Sequence, residues 1–482
     1  MEQVQFEINQ VTLAFGDRQV LDIESLRVHQ WDRIGIVGKN GSGKSSLLKL
    51  LEGSLKPSTG HVKKHVEFGY YEQLSAPTLD IQHLDGEVRS RLAVPTHTGE
   101  QMSGGEETRT KLATLLSTYY EGLLLDEPTT HLDQAGIDFV MEELSYYYGT
   151  LLLISHDRRV LDELVTKIWE IDDGKVTEYV GNYSQYVETK EEERQKQREE
   201  HDHYVKERDQ LHRAVEVKKK QAQKISKGSK GQPNANRMFM TKDKGTSQKG
   251  IMKSAKAMEQ RLEQMETVHA PDAVQSIVFH KPKALELHNR IPIMMDRATI
   301  KVADRLLIEN VSLQLPLGKT IAFTGHNGSG KSTLLDYIVN GQEGMTRSPK
   351  VQFGVFKQKD FRFTEDVSVY DWMEERSDQS ETTIRAVLAS MQFSGNDLKK
   401  SVLDLSGGEA IRLVLSQLFL GNYNVLILDE PTNFLDIQSV EALERVIHAY
   451  EGTILLVSHD REFLQRVSDV EYKIVNQTLQ EQ

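Results

Sequence analysis

The sequence has no cysteine, little proline and no long apolar run. None of its 482 residues is cysteine and 11 are proline. The lack of cysteine excludes disulfides and thiolate zinc sites, and argues against a zinc-bearing DNA-repair enzyme. No run of about 18 apolar residues is present, so no segment is expected to span a bilayer. Met1 to Gln10 also lacks the basic and apolar regions of a secretion signal, and we expect a cytoplasmic protein without a membrane domain.

One series of motifs, in contrast, is present twice and in the same order. It consists of a glycine-rich loop, a glutamine, a Ser-Gly-Gly-Glu sequence, an Asp-Glu pair and a histidine. The second member of each pair follows the first by 287 residues at the loop, 285 at the glutamine and 303 at the other motifs. The chain is therefore predicted to contain two copies of one α/β domain.

Two predicted phosphate-binding loops open the series. Their residues are Gly38, Lys39, Asn40, Gly41, Ser42, Gly43, Lys44, Ser45 and Ser46 in the first copy, and Gly325, His326, Asn327, Gly328, Ser329, Gly330, Lys331, Ser332 and Thr333 in the second. Each follows a hydrophobic strand and leads into a helix, so backbone N–H groups are expected to surround an anion. Lys44 and Lys331 are predicted to contact the β- and γ-phosphates of ATP, and Ser45 and Ser332 to bind Mg²⁺.

Acidic residues and histidines follow two buried strands of each copy. The pairs Asp126-Glu127 and Asp429-Glu430 each end an aliphatic run, and His156 and His459 follow another. Such runs predict strands buried on both faces of a parallel sheet, and their carboxyl ends face the ligand crevice. We expect Asp126 and Asp429 to reach Mg²⁺ through water. Glu127 and Glu430 are predicted to polarise the attacking water, with the histidines close to the γ-phosphate.

The Ser-Gly-Gly-Glu sequences precede helical patterns. They comprise Ser103, Gly104, Gly105 and Glu106 in the first copy, and Ser406, Gly407, Gly408 and Glu409 in the second. Amides at a helix N-terminus attract anions. Each copy therefore has two predicted phosphate-binding elements that are too far apart to hold one nucleotide.

These motifs resemble those of the ATP-binding cassette family. The resemblance implies two P-loop domains that pair head to tail within one monomer, with one ATP between Lys44 and Ser406 and the other between Lys331 and Ser103. It also implies that Gln73 and Gln358 act both in catalysis and as Mg²⁺ ligands. Phe15 occupies the position where this family often stacks an aromatic ring on adenine, and its counterpart in the second copy is Val302.

The segment between the copies has no duplicate. A stretch rich in Glu, Lys, Arg and Gln, from about Val187 to Gln223, predicts a long solvated helix. A second helix is expected from about Lys249 to Met265, after a loop over Ile225 to Gln248. The predicted organisation is a first domain over 1–186, a helical hairpin over 187–285 with its tip loop near 225–248, and a second domain over 286–482.

Charge is concentrated in this hairpin. Residues 218–257 contain eleven lysines, one arginine and one acid, whereas the whole chain has a net charge of −13. A basic arm on an acidic chain favours nucleic acid as the partner over the alternative of a solvated linker. The predicted contacts are Lys218, Lys219, Lys220, Lys224, Lys227, Lys230, Arg237, Met238, Phe239, Met240, Lys242 and Lys244. The apolar members of this set pack either on one another or against a pocket or base of the partner.

Two ATPase domains joined by a basic hairpin, with Gly181 to Tyr186 before it, resemble the ABC-F family of ribosome-binding ATPases. Lys281 to Asn289 and Ala386 to Met391 resemble its antibiotic-resistance members of the macrolide and streptogramin type. The resemblance implies that the hairpin enters the 70S ribosome through the tRNA exit site. Its tip would approach the 23S rRNA of the peptidyl-transferase centre and the P-site tRNA, release the drug, and leave after ATP hydrolysis.

Three other functions share some of these features. A housekeeping ABC-F translation factor would have every motif. An ATPase subunit of a membrane transporter is disfavoured by the basic arm and by the short interval between Gln73 and Ser103. A DNA-directed ATPase would also use a basic arm. Drug rescue, membrane fractionation and stimulation by DNA distinguish these alternatives.

Overall fold

A computed structural model describes most of the chain. The described residues are 3–16, 18–72, 86–92, 94, 104–130, 132–227, 237–265, 277, 279, 287, 289–303, 305–357 and 363–482. By its internal contacts the chain separates into two units. One contains Met1–Tyr186, termed the first copy, together with Gln275–Gln482, termed the second copy; the other is Val187–Val274, termed the hairpin.

The first copy begins with β1 (Val4–Phe15), β2 (Arg18–His29) and β3 (Arg33–Gly38), and the glycine-rich loop then leads into α1 (Lys44–Glu52). The remaining elements are β4 (Thr59–Lys64), β5 (Phe68–Tyr71), α2 (Gly86–Arg91), α3 (Gly104–Leu116), β6 (Gly122–Asp126), α4 (Gln134–Tyr146), β7 (Thr150–Ile154), α5 (Arg158–Leu164), β8 (Lys167–Asp172) and β9 (Lys175–Val180).

Two long helices follow, α6 (Tyr183–Lys227) and α7 (Arg237–Gln264). The predicted loop over Ile225 to Gln248 is therefore too long, because α7 begins at Arg237 rather than near Lys249. Glycine and serine in this stretch favoured a loop, but an isolated glycine costs a helix only about 1 kcal/mol. No proline follows Pro233 within the stretch, so the helix is not interrupted there.

The second copy repeats the arrangement of the first. Its elements are β10 (Ile293–Val302), β11 (Arg305–Leu315), β12 (Thr320–Thr324), α8 (Lys331–Asn340), β13 (Met345–Arg347), β14 (Phe353–Phe356), α9 (Val369–Glu374), α10 (Glu381–Ser390), α11 (Gly407–Leu420), β15 (Val425–Asp429), α12 (Ile437–Ala449), β16 (Thr453–Val457), α13 (Arg461–Val467), β17 (Val470–Val475) and β18 (Thr478–Glu481). Two short 3₁₀ helices, Gly395–Lys399 and Val402–Asp404, precede α11.

Each copy contains a six-stranded sheet, ordered β5-β6-β7-β3-β8-β9 in the first and β14-β15-β16-β12-β17-β18 in the second. Neighbouring strands are parallel except for the pairs β8 with β9 and β17 with β18. The strands that lead into the loop, the Asp-Glu pair and the histidine are adjacent, so these motifs meet at one edge of the sheet. The predicted α/β fold class with tandem P-loop domains is confirmed.

The central strands separate two hydrophobic cores. Leu124 and Leu152 pack with α1 and the three-stranded sheet β2-β1-β4. Their neighbours Leu123 and Leu153 pack on the other face with α3, α4 and α5. Successive side chains of a strand point to opposite faces, so a continuous run of leucine fills both cores and fixes the position of the motif that follows it.

Candidate functional site

Both glycine-rich loops hold a buried lysine at the start of a helix. The Nζ of Lys44 donates to the carbonyl oxygens of Gly38 at 2.8 Å and Lys39 at 3.0 Å. Lys331 makes the corresponding two bonds in the second loop. Burial lowers the pKa of both ammonium groups, although nearby carboxylates oppose this shift. A phosphate close to either lysine would favour its charged form.

The path of the loops requires glycine. Gly38 and Gly43 have φ angles of 149° and 103°, and their counterparts in the second loop have the same values. A Cβ at Gly38 would lie 2.5 Å from the carbonyl oxygen of Ile171. A side chain at this position would therefore displace the backbone that turns into α1.

Several polar atoms of the loops are buried without partners. Among the described residues, the Oγ atoms of Ser42 and Ser329 and the Oδ1 of Asp429 make no hydrogen bond. The Ser45 and Ser332 hydroxyls hydrogen-bond Asp126 and Asp429, respectively. These hydroxyl and carboxylate groups suit a Mg²⁺–phosphate ligand, because Mg²⁺ is bound by oxygen. The other predicted loop residues, Asn40, Gly41, Ser46, Asn327, Gly328, Gly330 and Thr333, lie in the same loops or in the first turns of α1 and α8.

Glu127 and Glu430 have left-handed backbone conformations, with φ angles of 52° and 51°. The Oε1 of Glu127 lies 2.8 Å from the Nε2 of His156, and the Oε1 of Glu430 lies 3.4 Å from the Nε2 of His459. Such a conformation is costly for a non-glycine residue, typically by about 1–3 kcal/mol, and clusters at functional sites. The structure therefore brings each predicted glutamate together with its predicted histidine.

The two glutamates differ in their electrostatic surroundings. Burial acts to raise the pKa of Glu127, but the charge and hydrogen bond of His156 outweigh it and hold this pKa at about 2. Burial raises the pKa of Glu430 to about 7 and lowers the pKa of His459 to about 4. Burial also raises the pKa of Asp126, to about 6. The two copies thus share a backbone geometry, but the pKa of Glu127 is lowered whereas that of Glu430 is raised.

The loop of each copy contacts the other copy. The Asn40 backbone N–H donates to Asp436 Oδ2 at 2.7 Å, and the Asn40 side chain donates to the Phe434 carbonyl at 2.8 Å. Asn327 N–H makes a longer bond of 3.4 Å to Asp133 Oδ2. Sequence reasoning missed Asp133 and Asp436. The sequence does contain an indication of these residues: a Leu-Asp pair follows each Asp-Glu-Pro sequence, and the two pairs are separated by the same 303 residues as the other motifs.

The second Ser-Gly-Gly-Glu sequence lies at the same junction. A cleft of 710 Å³ is lined by Asn40 and Gly41 from the first copy and by Ser406, Gly407 and Gly408 from the second. Ser406 and Glu409 cap α11 reciprocally: the Ser406 N–H donates to Glu409 at 2.7 Å, and the Glu409 N–H donates to the Ser406 hydroxyl at 3.4 Å. The structure thus brings the first loop and the second Ser-Gly-Gly-Glu sequence to one cleft.

The first Ser-Gly-Gly-Glu sequence is described in part. Gly104, Gly105 and Glu106 form the first turn of α3. Ser103, Gln73 and Gln358 lie outside the described residues.

The predicted adenine-stacking residue Phe15 lies at the end of β1, and its counterpart Val302 lies at the end of β10. Both are about half exposed, at 53% and 52%. Val302 lines a 680 Å³ cleft together with Lys331 and Ser332.

The predicted contact residues of the hairpin lie on both α6 and α7, and several lysines of α6 contact groups within the hairpin. Lys218 hydrogen-bonds Ser254, Lys219 lies 2.5 Å from Glu259 and Lys220 lies 3.8 Å from Glu216. Lys224 is exposed. The backbone places Lys227 at the end of α6 and Arg237, Met238, Phe239, Met240, Lys242 and Lys244 in the first two turns of α7, whereas Lys230 lies outside the described residues.

A buried ion network joins the copies and was also missed. Arg158, which is 4% exposed, lies 2.9 Å from Glu444 and 3.7 Å from Glu441 of the second copy. Its counterpart Arg461 is exposed, and the residue equivalent to Glu444 is Met141. The buried pair with Glu444 therefore has no acidic counterpart on the other side of the junction, where the charge of Arg461 acts on Asp138. The Ser-His-Asp-Arg repeat gives no indication of this difference.

Family models match both copies and the hairpin. A model described as ABC transporter matches residues 21–130 and 308–433, and a second model with this description matches residues 169–279. No described helix combines the length and apolar composition needed to cross a bilayer.

The full chain is similar to curated proteins. The erythromycin resistance ATP-binding protein MsrA of Staphylococcus epidermidis is 39% identical over 485 residues, which cover 99% of each chain. The ribosome protection protein VmlR of Bacillus subtilis (strain 168) is 31% identical over 98% of this chain and 87% of its own. The structure of the archaeal ribosome recycling factor aABCE1 with stalk protein aP1 aligns with a TM-score of 0.64 at 18% identity, over 96% of this chain and 87% of that chain. This last likeness shows the fold.

Proposed function

Because this chain belongs to the ABC-F family of ATP-binding cassette proteins, we propose that it is a cytoplasmic ATPase that binds the 70S ribosome and protects it from antibiotics. The names of MsrA and VmlR, for erythromycin resistance and ribosome protection, support this function. The observation that carries the proposal is the basic segment 218–257 between two complete sets of ATP motifs. In an acidic chain, this segment is the part that attracts a nucleic-acid backbone.

Two ATP molecules are proposed to bind where the copies meet. Lys44 would hold the phosphates of one ATP against Ser406, as supported by the cleft that Asn40 shares with the second Ser-Gly-Gly-Glu sequence. Lys331 would hold the other ATP against Ser103. The protein would then act as a monomer, because both halves of each site come from one chain.

Glu127 and Glu430 would accept a proton from the water that attacks each γ-phosphate, close to His156 and His459. Mg²⁺ would be held by Ser45 and Asp126 with Gln73, and by Ser332 and Asp429 with Gln358. When bound, the ion neutralises charge on the phosphates. The unpartnered atoms of Ser42 and Asp429 fit this assignment, since a buried polar group needs a partner.

The hairpin is proposed to enter through the tRNA exit site and approach the 23S rRNA of the peptidyl-transferase centre and the P-site tRNA. Closure of the copies around ATP would set the binding-competent form, and hydrolysis would reopen them and release the ribosome. The cross-copy bonds of Asn40 support this coupling, because the loop that would bind phosphate also contacts the opposite copy.

Sedimentation of the Glu127→Gln, Glu430→Gln variant with 70S ribosomes tests the ATP-gated binding. We expect co-sedimentation that requires ATP, because ATP still binds while the releasing hydrolysis is blocked. The matched Lys44→Ala, Lys331→Ala variant should remain in the supernatant with ATP present. A double-glutamine variant that hydrolyses ATP normally and leaves the ribosome normally would contradict the assignment.

Drug protection is tested in a translation extract inhibited by erythromycin. Addition of the wild-type protein should restore translation, and addition of the Lys44→Ala, Lys331→Ala variant should not. Ribosome binding without any recovery, across several drug classes, would instead favour a housekeeping translation factor of the same family.

A further inference from the structure

Four aromatic side chains are exposed where parallel strands of the first six-stranded sheet begin. The ATP motifs lie at the opposite ends of these strands. We call this set the aromatic edge: Trp31, Tyr119, Tyr146 and Tyr148, which are 60%, 75%, 77% and 85% exposed. They lie shortly before the neighbouring parallel strands β3, β6 and β7. Hydrogen bonds join these loops, since Trp31 N–H donates to Thr150 Oγ1 at 2.9 Å and Thr150 N–H donates to the Glu121 carbonyl at 3.2 Å.

The second copy keeps the framework of this edge without its exposed rings. Tyr147 donates its hydroxyl to the Tyr120 carbonyl at 2.7 Å, and Tyr450 makes the same bond to Tyr423 at 3.0 Å. The counterparts of Trp31, Tyr119, Tyr146 and Tyr148 are Gly318, Asn422, Ala449 and Glu451. The fold therefore forms without these four aromatic side chains, which need another reason to be present.

Trp31 also occupies a backbone position that suits glycine. Its φ angle is 70°, and that of its counterpart Gly318 is 71°. The two positions have the same hydrogen bond, because Gly318 N–H donates to Thr453 Oγ1 at 3.0 Å. A bulky residue in this left-handed region is a conformational outlier, and such outliers concentrate at functional positions. Tryptophan thus stands where the backbone favours glycine, and Trp31 remains 60% exposed to solvent.

Charge around the aromatic edge disfavours nucleic acid. Lys167 lies 2.8 Å from Asp32, and the Arg33 guanidinium donates to the carbonyls of Leu144 and Tyr147. These cations already have partners, while Glu121 at the same edge is exposed. The first copy as a whole has 17 basic and 29 acidic residues. A phosphate backbone would meet net repulsion here, whereas a cationic protein surface would be attracted.

We propose that the aromatic edge is a docking surface for a basic protein of the ribosome, whose arginine and lysine side chains stack on Trp31 and the three tyrosines. Exposed tyrosine and tryptophan supply large contact areas at interfaces and bind cations through their ring faces. This inference rests on the proposed ribosome binding. It assigns the first copy a protein contact separate from the nucleic-acid contact of the hairpin.

Photo-cross-linking tests the partner class. The Tyr148→p-benzoylphenylalanine change is made in the Glu127→Gln, Glu430→Gln variant, which is bound to 70S ribosomes with ATP and irradiated. The matched control carries Glu451→p-benzoylphenylalanine at the equivalent position of the second copy. We expect a cross-link from position 148 to a basic ribosomal protein that resists ribonuclease and is destroyed by protease, with little from position 451. A cross-link to RNA, a cross-link between two copies of this chain, or none at 148 overturns the proposal.

An exchange of residues between the copies tests the contribution to binding. The variant carries Trp31→Gly, Tyr119→Asn, Tyr146→Ala and Tyr148→Glu. Each new residue is the one that the second copy has at the equivalent position. We expect ribosome affinity to fall at least about tenfold, as for loss of an aromatic hot spot, with ATP hydrolysis unchanged and the unfolding temperature no lower than that of the parent. Wild-type affinity would overturn the proposal. If the parent Glu127→Gln, Glu430→Gln variant does not co-sediment with ribosomes, the proposed ribosome binding is overturned, and the docking surface is overturned with it.

Discussion

At the scale of single residues, the two glutamates are held in the same left-handed conformation but by different contacts. Glu127 lies 2.8 Å from His156 and accepts a hydrogen bond of 3.2 Å from Thr130. Glu430 lies 3.4 Å from His459 and accepts a backbone N–H bond of 3.3 Å from that histidine. The first glutamate is therefore the more firmly positioned, and burial keeps the pKa of the second high, at about 7.

This difference predicts unequal effects of the two glutamine substitutions. Glu430→Gln should reduce single-turnover phosphate release more than Glu127→Gln does, since a base whose pKa lies close to the working pH accepts a proton more readily than one whose pKa is about 2. We expect a loss of about a hundredfold or more at the altered site, within the range for general-base removal. Single-turnover hydrolysis checks this, with fluorescent-ATP binding as the control. Equal losses in the two variants would contradict it.

At the scale of elements, a glycine inside α7 gives a measurable consequence. Gly250 lies inside this helix, and a Cβ built on it would meet no atom within 4 Å. Gly250→Ala should therefore stabilise the helix by about 0.5–1 kcal/mol, because alanine loses less conformational freedom. Hydrogen exchange of the α7 amides should slow. The opposite change at an exposed position of the same helix, Ala257→Gly, should speed it, and no effect of either would show that α7 is not helical there.

The charge of α6 predicts how ribosome binding depends on salt. Lys220 and Lys224 are exposed on the basic part of α6, so Lys220→Ala with Lys224→Ala should remove up to two phosphate contacts. The slope of log affinity against log salt should then fall by up to about 2. Lys196→Ala, in the Glu-rich part of the same helix, is the matched control and should leave the slope unchanged. An equal change in both variants would argue against contact with nucleic acid at Lys220 and Lys224.

At the scale of the whole molecule, Arg158 ties the first copy to the second. Its removal would leave Glu444, which is 8% exposed, with the weaker partner Arg466 at 3.4 Å. Arg158→Ala should therefore lower the free energy of unfolding by about 3 kcal/mol, as expected when one member of a buried ion pair is removed. Arg461→Ala, the exposed counterpart, should change it by no more than about 0.5 kcal/mol. Urea denaturation measures both, and similar losses would contradict a special role for Arg158.

Much of the fold follows from local sequence patterns. The aliphatic run before His156 predicts a buried strand and forms β7, and the helix expected after the first glycine-rich loop is α1. The sequence predicts these elements because an aliphatic run favours a strand, and a glycine-rich segment favours a turn, through interactions among residues close together in the chain. The start of α7 could not be predicted from local sequence, because glycine lowers helix propensity without excluding a helix.

The sequence by itself determined the two sets of ATP motifs, the parallel order of strand, loop and helix around them, and the basic character of the hairpin. The tertiary structure alone decided which groups meet across the copies. Asn40 and Asp436 are 396 residues apart, and Arg158 is buried while Arg461 is exposed despite an identical local motif. Periodicity describes how a segment packs on its own domain, but a contact between domains depends on the shape and charge of both surfaces at once. For that reason, the asymmetry of a duplicated chain becomes visible only in its assembled form.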